Sequence, residues 1–378
     1  MSDIVDIMNY GEAISGSAFE HKVDFSNQIL PNEIADRKFS DEIILKDTKT
    51  DTKKLCIKNC IFKYLNIKDE DADEIREINF KNCNIKKLRV FQSSILLNFD
   101  ECNIDTLVIE SGNEMKIKIE ASDFEIISLE KSSRIRNISI TQESTITKLD
   151  SKDASIDKIL IHSSFVKTVH INHSIGELEL AQGAQLERLS IDNKSDLNLF
   201  LKGLLKRKKK LSKGNRAQRK IVARHQKQII LAAFNQYDDE HKYQELDMCL
   251  VNLRKIDCAL KKIDSKNYFQ KVLYSTMDFV LGKMFGWGVK ISNTLVTASV
   301  TILGFAVLYF YFLYIKLEEN KGFASIISMS LTSSINRFFN VNEVNPMTIL
   351  PYFDTVEQIV GIVMLTIITG VLVRKIIK

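Results

Sequence analysis

The hydrophobic pattern divides the chain into three parts, of which the C-terminal one is the clearest. Residues 291–315 contain no charged side chain. At a rise of about 1.5 Å per residue, a helix of this length crosses an apolar layer of about 30 Å. Residues 356–373 form a second apolar segment with one acid, Glu357. These two segments predict two transmembrane spans.

Between the two spans lies a shorter segment, residues 323–339, which is too short and too polar to cross a membrane. The order span, half-span, span is typical of a pore domain, in which a re-entrant helix and its loop lie within the membrane. A buried helical hairpin of a soluble protein is the alternative, but the uncharged first span argues against it. We therefore predict a pore domain over residues 291–378.

The second part of the chain, residues 55–191, repeats one apolar register every 19 to 23 residues. One copy consists of Leu97, Phe99, Cys102, Ile104, Leu107 and Ile109. Its apolar pairs recur every five residues, a period that fits neither a helix nor an alternating strand. We predict a β-solenoid of about seven coils with four short sides each, in which every coil buries its inward residues against its neighbours.

A helical part connects the two. Residues 197–205 are predicted to form an apolar lid on the last coil, and apolar residues at helical spacing over residues 216–263 predict either a helical hairpin against the solenoid or a coiled oligomer contact. A basic cluster follows the lid and is predicted to bind the anionic lipids of the cytoplasmic leaflet, with a nucleic-acid-binding patch or a solvated linker as the alternatives. Its members are Lys206, Arg207, Lys208, Lys209 and Lys210.

The fold class is therefore multidomain: a β-solenoid, an α-helical linker and a two-helix transmembrane pore domain. The predicted domains are a cap (1–54), the solenoid (55–200), the basic helical linker (201–266), an interfacial amphipathic helix (267–290) and the pore domain (291–378). Within the last, span 1 covers 291–315, the pore helix and loop 323–339, and span 2 356–373.

The charge is distributed unevenly along the chain. The formal net charge is +5, yet acidic residues outnumber basic ones in residues 1–200 and the reverse holds in residues 201–378. An acidic N-terminal half argues against broad nucleic-acid binding. The six cysteines form no CxxC pair, which is typical of reduced thiols in the cytosol. We find no N-terminal signal peptide and no spacing typical of a catalytic, cofactor or metal site, so the protein is not expected to be an enzyme.

The repeat resembles the pentapeptide-repeat family, whose pattern is a small residue, a polar residue and a central Leu or Phe. Residues Cys102-Asn103-Ile104-Asp105-Thr106 follow this pattern, although many other central residues are β-branched. A leucine-rich repeat is the alternative, because residues 75–85 also fit that template. The resemblance implies a β-solenoid. The order of the domains suggests that this solenoid is a cytosolic sensing or docking module for an unidentified ligand or protein.

The C-terminal part resembles bacterial two-transmembrane potassium-channel-like proteins. The resemblance rests on Gly286-Trp287-Gly288-Val289-Lys290, on residues 356–361 and on Leu372-Val373-Arg374-Lys375. It implies a homotetramer around one axis that conducts permeant inorganic ions across the bacterial cytoplasmic (inner) membrane. Basic residues before span 1 and after span 2 predict that both termini are cytoplasmic.

The sequence departs from potassium channels at the selectivity filter. Their loop contains glycines that let backbone carbonyls turn toward the ion, whereas residues 332–340 contain none. A wider, weakly selective or cation-conducting pore is therefore expected. The candidate selectivity residues are Thr332, Ser333, Ser334, Asn336, Arg337 and Asn340. Arg337 either favours anions at the pore mouth or forms an ion pair with Glu343 or Glu357.

One face of span 2 carries its few polar groups and is the candidate pore lining. It consists of Gln358, Ile362, Thr366, Thr369 and Val373. Gly361 and Gly370 are hinge candidates, with close helix packing as the alternative.

The sequence thus predicts an ion channel that is gated through its solenoid. Two alternatives remain: a membrane-anchored binding scaffold without a pore, and a membrane-disrupting effector in stress or phage defence.

Overall fold

The computed structural model divides the protein into two compact units, residues 1–250 and 251–378. It describes residues 22–24, 30, 32–46, 53–69, 76–92, 95–110, 114–130, 133–210, 215–265, 267–284, 291–316, 322–341 and 351–377. The predicted motif at residues 286–290, Glu343 and Lys378 lie outside these ranges.

The first unit is built on strands that run parallel to one another from coil to coil. The strands are β1 Lys22–Asp24, β2 Glu33–Ala35, β3 Lys38–Lys46, β4 Lys54–Lys58, β5 Ile61–Asp69, β6 Glu77–Lys81, β7 Asn84–Gln92, β8 Leu96–Asp100, β9 Asn103–Glu110, β10 Met115–Glu120, β11 Asp123–Glu130, β12 Arg134–Thr141, β13 Thr145–Ser151, β14 Ser155–Ile161, β15 Phe165–Ile171, β16 Ser174–Leu180 and β17 Gln185–Ile191. Odd-numbered strands form a nine-stranded sheet and even-numbered strands an eight-stranded sheet. This order is that of a β-solenoid, and its seven coils from β4 to β17 confirm the predicted fold of this region.

The predicted inward register is confirmed by burial. All six residues of the copy from Leu97 to Ile109 are at most 3% exposed. The five of these residues that lie on strands also pair with their counterparts in the neighbouring coils, as Leu107 does with Leu88 and Ile127. Since each coil covers the apolar residues of its neighbours, the core runs as a continuous column through the solenoid.

The coils have two sheet-forming sides, where four short sides were predicted. In the copy from Leu97 to Ile109, the first apolar pair lies on the short strand β8, whereas Ile104 of the second pair and both residues of the third pair lie on the longer strand β9. Ile104 and Leu107 both point inward although they are three residues apart, and the ladder of paired residues omits Asp105 between them. The longer strand therefore bends at Asp105, so two predicted sides become one strand.

The solenoid also begins earlier than the predicted boundary at residue 55. β2 and β3 lie in the predicted cap but pair in parallel with β4 and β5. Phe39, Ile43 and Leu45 are buried as an earlier copy of the inward register. The strand pairing is irregular between Phe39 and Glu42. This irregularity interrupts the five-residue period, so even spacing alone does not reveal this copy.

A left-handed residue forms the corner between the first and second sides of each described coil. These residues are Asp36, Asn59, Asn82, Glu101, Ala121, Glu143, Ser163 and Gly183. Asn and Asp tolerate this conformation better than most residues. The first three also form a ladder, in which Asn82 donates to Asn59 and Asn59 donates to Asp36, each at 2.9 Å.

At six of these eight corners the next residue is an inward Cys or Ser whose side chain bonds buried backbone groups. The hydroxyl of Ser122 accepts a hydrogen bond from the Cys102 N–H at 2.9 Å and donates to the Glu120 carbonyl at 2.6 Å. Cys60 and Cys83 occupy the same column and are buried. Burial raises the pKa of the Cys60 thiol to about 11, so it stays protonated and unreactive at neutral pH.

Three helices follow the C-terminal end of the solenoid, and the first two pack against it. They are α1 Lys194–Lys210, α2 Arg216–Asp239 and α3 Tyr243–Asp264, and the boundary between the two units falls within α3. α1 and α2 contact β16 and β17, and Leu197, Leu201 and Leu204 are buried, as expected of the predicted lid. The buried Tyr237 hydroxyl bonds both backbone groups of Ile191, at 2.9 Å and 3.0 Å. These contacts favour packing against the solenoid over a coiled oligomer contact.

The second unit is helical. After the end of α3 come α4 Tyr268–Met277, a π-helix Asp278–Met284, α5 Ile291–Lys316, α6 Phe323–Phe338 and α7 Pro351–Ile377. Lys262 of α3 forms an ion pair with Asp278 at 3.0 Å. α5, α6 and α7 contact one another pairwise, and their apolar core contains Ala298, Phe338 and Met364.

Candidate functional site

Two helices of the second unit are long and apolar enough to cross a membrane. The segments are Ser292–Ile315 of α5 and Tyr352–Gly370 of α7. Only 17% and 22% of their residues, respectively, are buried within the chain, whereas a core helix of a soluble protein is mostly buried. Large apolar side chains on α5, such as Val300, Val307 and Tyr311, are at least 60% exposed. Such a continuous apolar surface requires a lipid environment or another protein surface.

α6 packs against both of these helices through a group of buried polar side chains, which we call the polar junction. Its members are Tyr309 of α5, Ser334 and Arg337 of α6, and Asp354 and Glu357 of α7. All five are at most 8% exposed. Because the surrounding surface is apolar, these groups depend on one another for hydrogen bonds and charge compensation.

The ion pair of the polar junction joins α6 to α7. Arg337 Nη1 lies 2.9 Å from Asp354 Oδ1. The guanidinium carbon also lies 4.8 Å from the centroid of the Tyr309 ring, which is within the range of a cation–π interaction. Arg337 therefore forms its ion pair with Asp354, whereas the sequence had suggested Glu343 or Glu357 as the partner.

The hydroxyl groups of the polar junction converge on Glu357. Tyr309 Oη lies 2.6 Å from Glu357 Oε2 and 3.0 Å from Asp354 Oδ1. Ser334 Oγ lies 2.5 Å from Glu357 Oε1 and 2.8 Å from the Ile302 carbonyl oxygen. One carboxyl group on α7 thus contacts both α5 and α6.

Gly361 allows α7 to approach the end of α6. A Cβ atom at this position would lie 2.0 Å from the Phe338 carbonyl oxygen, whereas one at Gly370 would meet no atom within 4 Å. Of the two hinge candidates, Gly361 therefore serves close packing in this structure, the alternative use that the sequence left open.

The six candidate selectivity residues do not lie together. Residues 332–337 belong to α6, so the segment aligned with a filter loop is helical up to Phe338. Ser334 and Arg337 are buried in the polar junction, Ser333 and Asn336 are half-buried, and Thr332 and Asn340 are exposed. A helix separates residues 332 and 336 by a full turn and places successive side chains on different faces.

The candidate pore lining of span 2 is a stripe on the outer side of α7. Ile362, Thr366, Thr369 and Val373 are exposed, and Gln358 is half-buried. Asp354, Glu357, Gly361 and Met364 lie on the opposite side and are buried. The predicted stripe is therefore available for contact with water, lipid or another copy of the chain.

The segment before α5 exposes its apolar residues as well. α4 has no buried residue, and Tyr268 and Phe269 are 82% and 76% exposed. This exposure fits the interfacial amphipathic helix predicted there. Lys206–Lys210 belong to the last turns of α1, but their side chains lie outside the described part of the chain.

A second charged group lies on the outer face of the solenoid. His170 Nδ1 is 2.8 Å from Asp150 Oδ1 and its Nε2 is 2.8 Å from Asp192 Oδ1. Burial lowers the pKa of His170, but the hydrogen bonds to Asp192 and Asp150 outweigh it, so the net pKa is raised. Lys148 pairs with Asp150 at 2.8 Å, and Glu240 after α2 also interacts with His170. The imidazole of His170 thus links three successive coils.

Among the described residues, no group of three or more His, Cys, Asp or Glu side chains is arranged to hold a metal ion. Compared with protein-family models, with curated proteins and with solved structures, the chain matches none of them. The channel-like resemblance therefore rests on the sequence motifs alone, while the solenoid and the two apolar helices rest on the structure.

We predict that Gly361→Ala loosens the packing of α6. The new methyl group would overlap a backbone oxygen, which cannot rotate away, and overpacking of this kind costs about 1–3 kcal/mol. Amide hydrogen exchange of residues 323–338 in the full-length protein should accelerate about tenfold or more. Gly370→Ala is the matched control and should leave this exchange unchanged; equal effects of both variants would contradict the packing role.

We predict that His170 makes the stability of the solenoid depend on pH. A raised pKa means that the stabilisation is fully present below the unfolded value of about 6.5 and is lost as the pH rises through the folded value. Thermal unfolding of the full-length protein should therefore show a decline in stability above about pH 6.5 that His170→Gln removes. His162→Gln, a change at an exposed histidine of the same coil, should preserve the decline. Identical pH profiles for wild type and His170→Gln would refute this role.

Proposed function

We propose that the protein is an ion channel of the bacterial cytoplasmic membrane, formed by α5, α6 and α7 of several copies of the chain. The observation that carries this proposal is the packing of α6. This helix is too short to span, yet it contacts both apolar helices through the polar junction, while the outer faces of all three helices expose apolar side chains.

A simple membrane anchor has no use for this arrangement. Two apolar helices suffice to hold a protein in a bilayer, and buried polar groups at membrane depth cost several kcal/mol when they are unpaired. In this protein the five side chains of the polar junction pair with one another, and they hold the short helix α6 beside the two spans. A short helix held in this position would form part of a pore if four copies of the chain assembled around one axis.

The charges of the polar junction give no preference for anions. Arg337 could have attracted anions at the pore mouth, but it is occupied by Asp354 and covered by Tyr309. Without a glycine-containing filter, the pore would coordinate ions through hydroxyl and amide groups and water, which gives weak selectivity. In this proposal the stripe from Gln358 to Val373 lines the pore, and the tetramer follows from the resemblance.

The solenoid is proposed as the cytosolic part that senses a ligand or binds a partner. Its core is rigid and continuous, so a ligand bound along it would act on the chain that leads into α4 and α5. Exposed apolar residues on α4 and the basic cluster Lys206–Lys210 would contact the lipid surface, and both termini would lie in the cytoplasm.

Currents through the purified full-length protein in a planar bilayer test the channel directly. We expect discrete openings with reversal potentials that favour K⁺ and Na⁺ only weakly over Cl⁻. Thr369→Asp should raise the cation-to-anion permeability ratio and Thr369→Lys should lower it, each several-fold, because a charge in a narrow pore acts on every passing ion. Thr168→Asp, in the solenoid, is the control and should change neither.

Silence of an intact oligomer over a range of voltages and solutions would favour a membrane-anchored scaffold instead. Currents without discrete steps, together with loss of vesicle contents, would favour a membrane-disrupting effector. If removal of residues 1–200 changed neither the openings nor their regulation, the solenoid would have no sensing role.

A further inference from the structure

The carboxyl group of Glu357 lies fully buried within the polar junction. The residue is 0% exposed, and each of its two carboxyl oxygens lies within hydrogen-bond distance of a hydroxyl group. These hydroxyls belong to Tyr309 of α5 and Ser334 of α6. Glu357 therefore joins all three helices at a single point.

The protons available at this point can be counted. Each hydroxyl has one proton but lies near two acceptors: Tyr309 near Glu357 and Asp354, and Ser334 near Glu357 and the Ile302 carbonyl. Four oxygen–oxygen contacts at hydrogen-bond distance each need a proton, and the two hydroxyls supply only two. If Glu357 were ionised, two of the four contacts would bring lone pairs together without a proton.

The charge balance of the polar junction also favours a protonated, neutral Glu357. Arg337 lies beside Asp354 and compensates its negative charge. An ionised Glu357 would add a second negative charge to a fully buried position in an apolar helix, where an uncompensated charge is costly. A neutral Glu357 leaves the polar junction with one positive and one negative charge.

We propose that Glu357 is a proton-binding site and that the bound proton holds α6 in place between α5 and α7. The carboxylic acid donates its proton to Tyr309 Oη, and the Tyr309 hydroxyl then donates to Asp354, which pairs with Arg337. Ser334 remains free to donate to the Ile302 carbonyl or to Glu357. Loss of the proton leaves a carboxylate that competes with Asp354 for the Tyr309 proton and for Arg337, and this weakens the contacts between α6 and the other two helices.

The proton site adds to the proposed channel function, and only its predicted effect on the current rests on that function. If α6 forms part of a pore, its position sets the current, and the current should fall as Glu357 loses its proton. The proton site itself is a property of the folded second unit and does not depend on whether the protein conducts ions.

Infrared spectroscopy of the full-length protein in a detergent that contains no carbonyl group tests the proton directly. A protonated carboxylic acid has a C=O stretching band that is separate from the bands of carboxylates and amides. We expect this band at neutral pH in the wild type, its loss in Glu357→Gln, and its disappearance at high pH. A wild-type spectrum without the band, or a band that Glu357→Gln leaves unchanged, would overturn the proposal.

Asp354→Asn provides an independent test that does not require Glu357→Gln to fold. Once Asp354 is neutral, Glu357 is the remaining acid of the polar junction that can compensate Arg337, so Glu357 should ionise. The band should then be lost at neutral pH, and its persistence in Asp354→Asn would contradict the charge balance on which the proposal rests.

Currents recorded over the same pH range separate the two proposals. We expect the wild-type current to fall several-fold as the band disappears, and Glu357→Gln, whose amide can still donate to Tyr309, to remove this decline. An infrared band with no current at any pH would refute the channel while supporting the proton site. A current whose decline with pH is the same in wild type and Glu357→Gln would refute the link between this proton and α6.

Discussion

The ion pair between Arg337 and Asp354, covered by the Tyr309 ring, is the interaction on which the C-terminal unit depends. Neither charged group would be stable alone in an apolar helix bundle, because removal of one partner leaves an uncompensated buried charge. Each comes from a different helix, so α6 and α7 must be adjacent for either to be tolerated. The close approach at Gly361 and the hydroxyl contacts of Glu357 lie within two turns of Asp354 on α7, and they hold the same pair of helices together. Specific polar contacts, rather than apolar burial alone, thus fix the position of the short helix.

In the solenoid, by contrast, apolar burial fixes the positions of the strands. Its six inward positions per coil are filled almost entirely by apolar side chains, and its buried polar atoms are mainly the small hydroxyl groups that satisfy backbone amides, such as Ser122. Charged side chains form pairs along the strands, as Lys148 does with Asp150. His170 differs from these, because both of its ring nitrogens bond carboxylates of the neighbouring coils. A long rod with a uniform core and a variable outer surface is well suited to present a binding face, which fits the proposed sensing role.

The sequence was sufficient where one pattern decides the structure. The register from Leu97 to Ile109 predicted which residues are buried, because only one inward face exists per coil. The uncharged run of α5 likewise determined a helix with exposed apolar sides. The sequence was insufficient where a contact joins distant segments. Tyr309 is one of several aromatic residues in α5, and nothing in its neighbourhood distinguishes it as the residue that contacts Asp354 and Glu357.

Local geometry accounts for the remaining differences. Residues 332–337 were aligned with a filter loop, but they contain neither Gly nor Pro, so nothing in their sequence ends the helix before Phe338. The spacing of Asp354 and Glu357, three residues apart on a largely apolar helix, is the signal that could have marked one face of α7 for contact with α6. Two acids on one helical face of an apolar segment predict a buried polar partner, and Arg337 was the basic residue nearest to them among those considered for the site.

The central claim is that α6 lies within the membrane beside the two spans. The most direct test is to measure the environment of the exposed residues of α6. Nitroxide labels at Ile327 and Leu331, both exposed in the single chain, would be followed by electron paramagnetic resonance in lipid vesicles. The account predicts frequent collisions with dissolved oxygen and few with a water-soluble nickel chelate, because both positions would face lipid or another copy of the chain. Frequent collisions with the nickel chelate at both positions would place α6 in water and contradict the account.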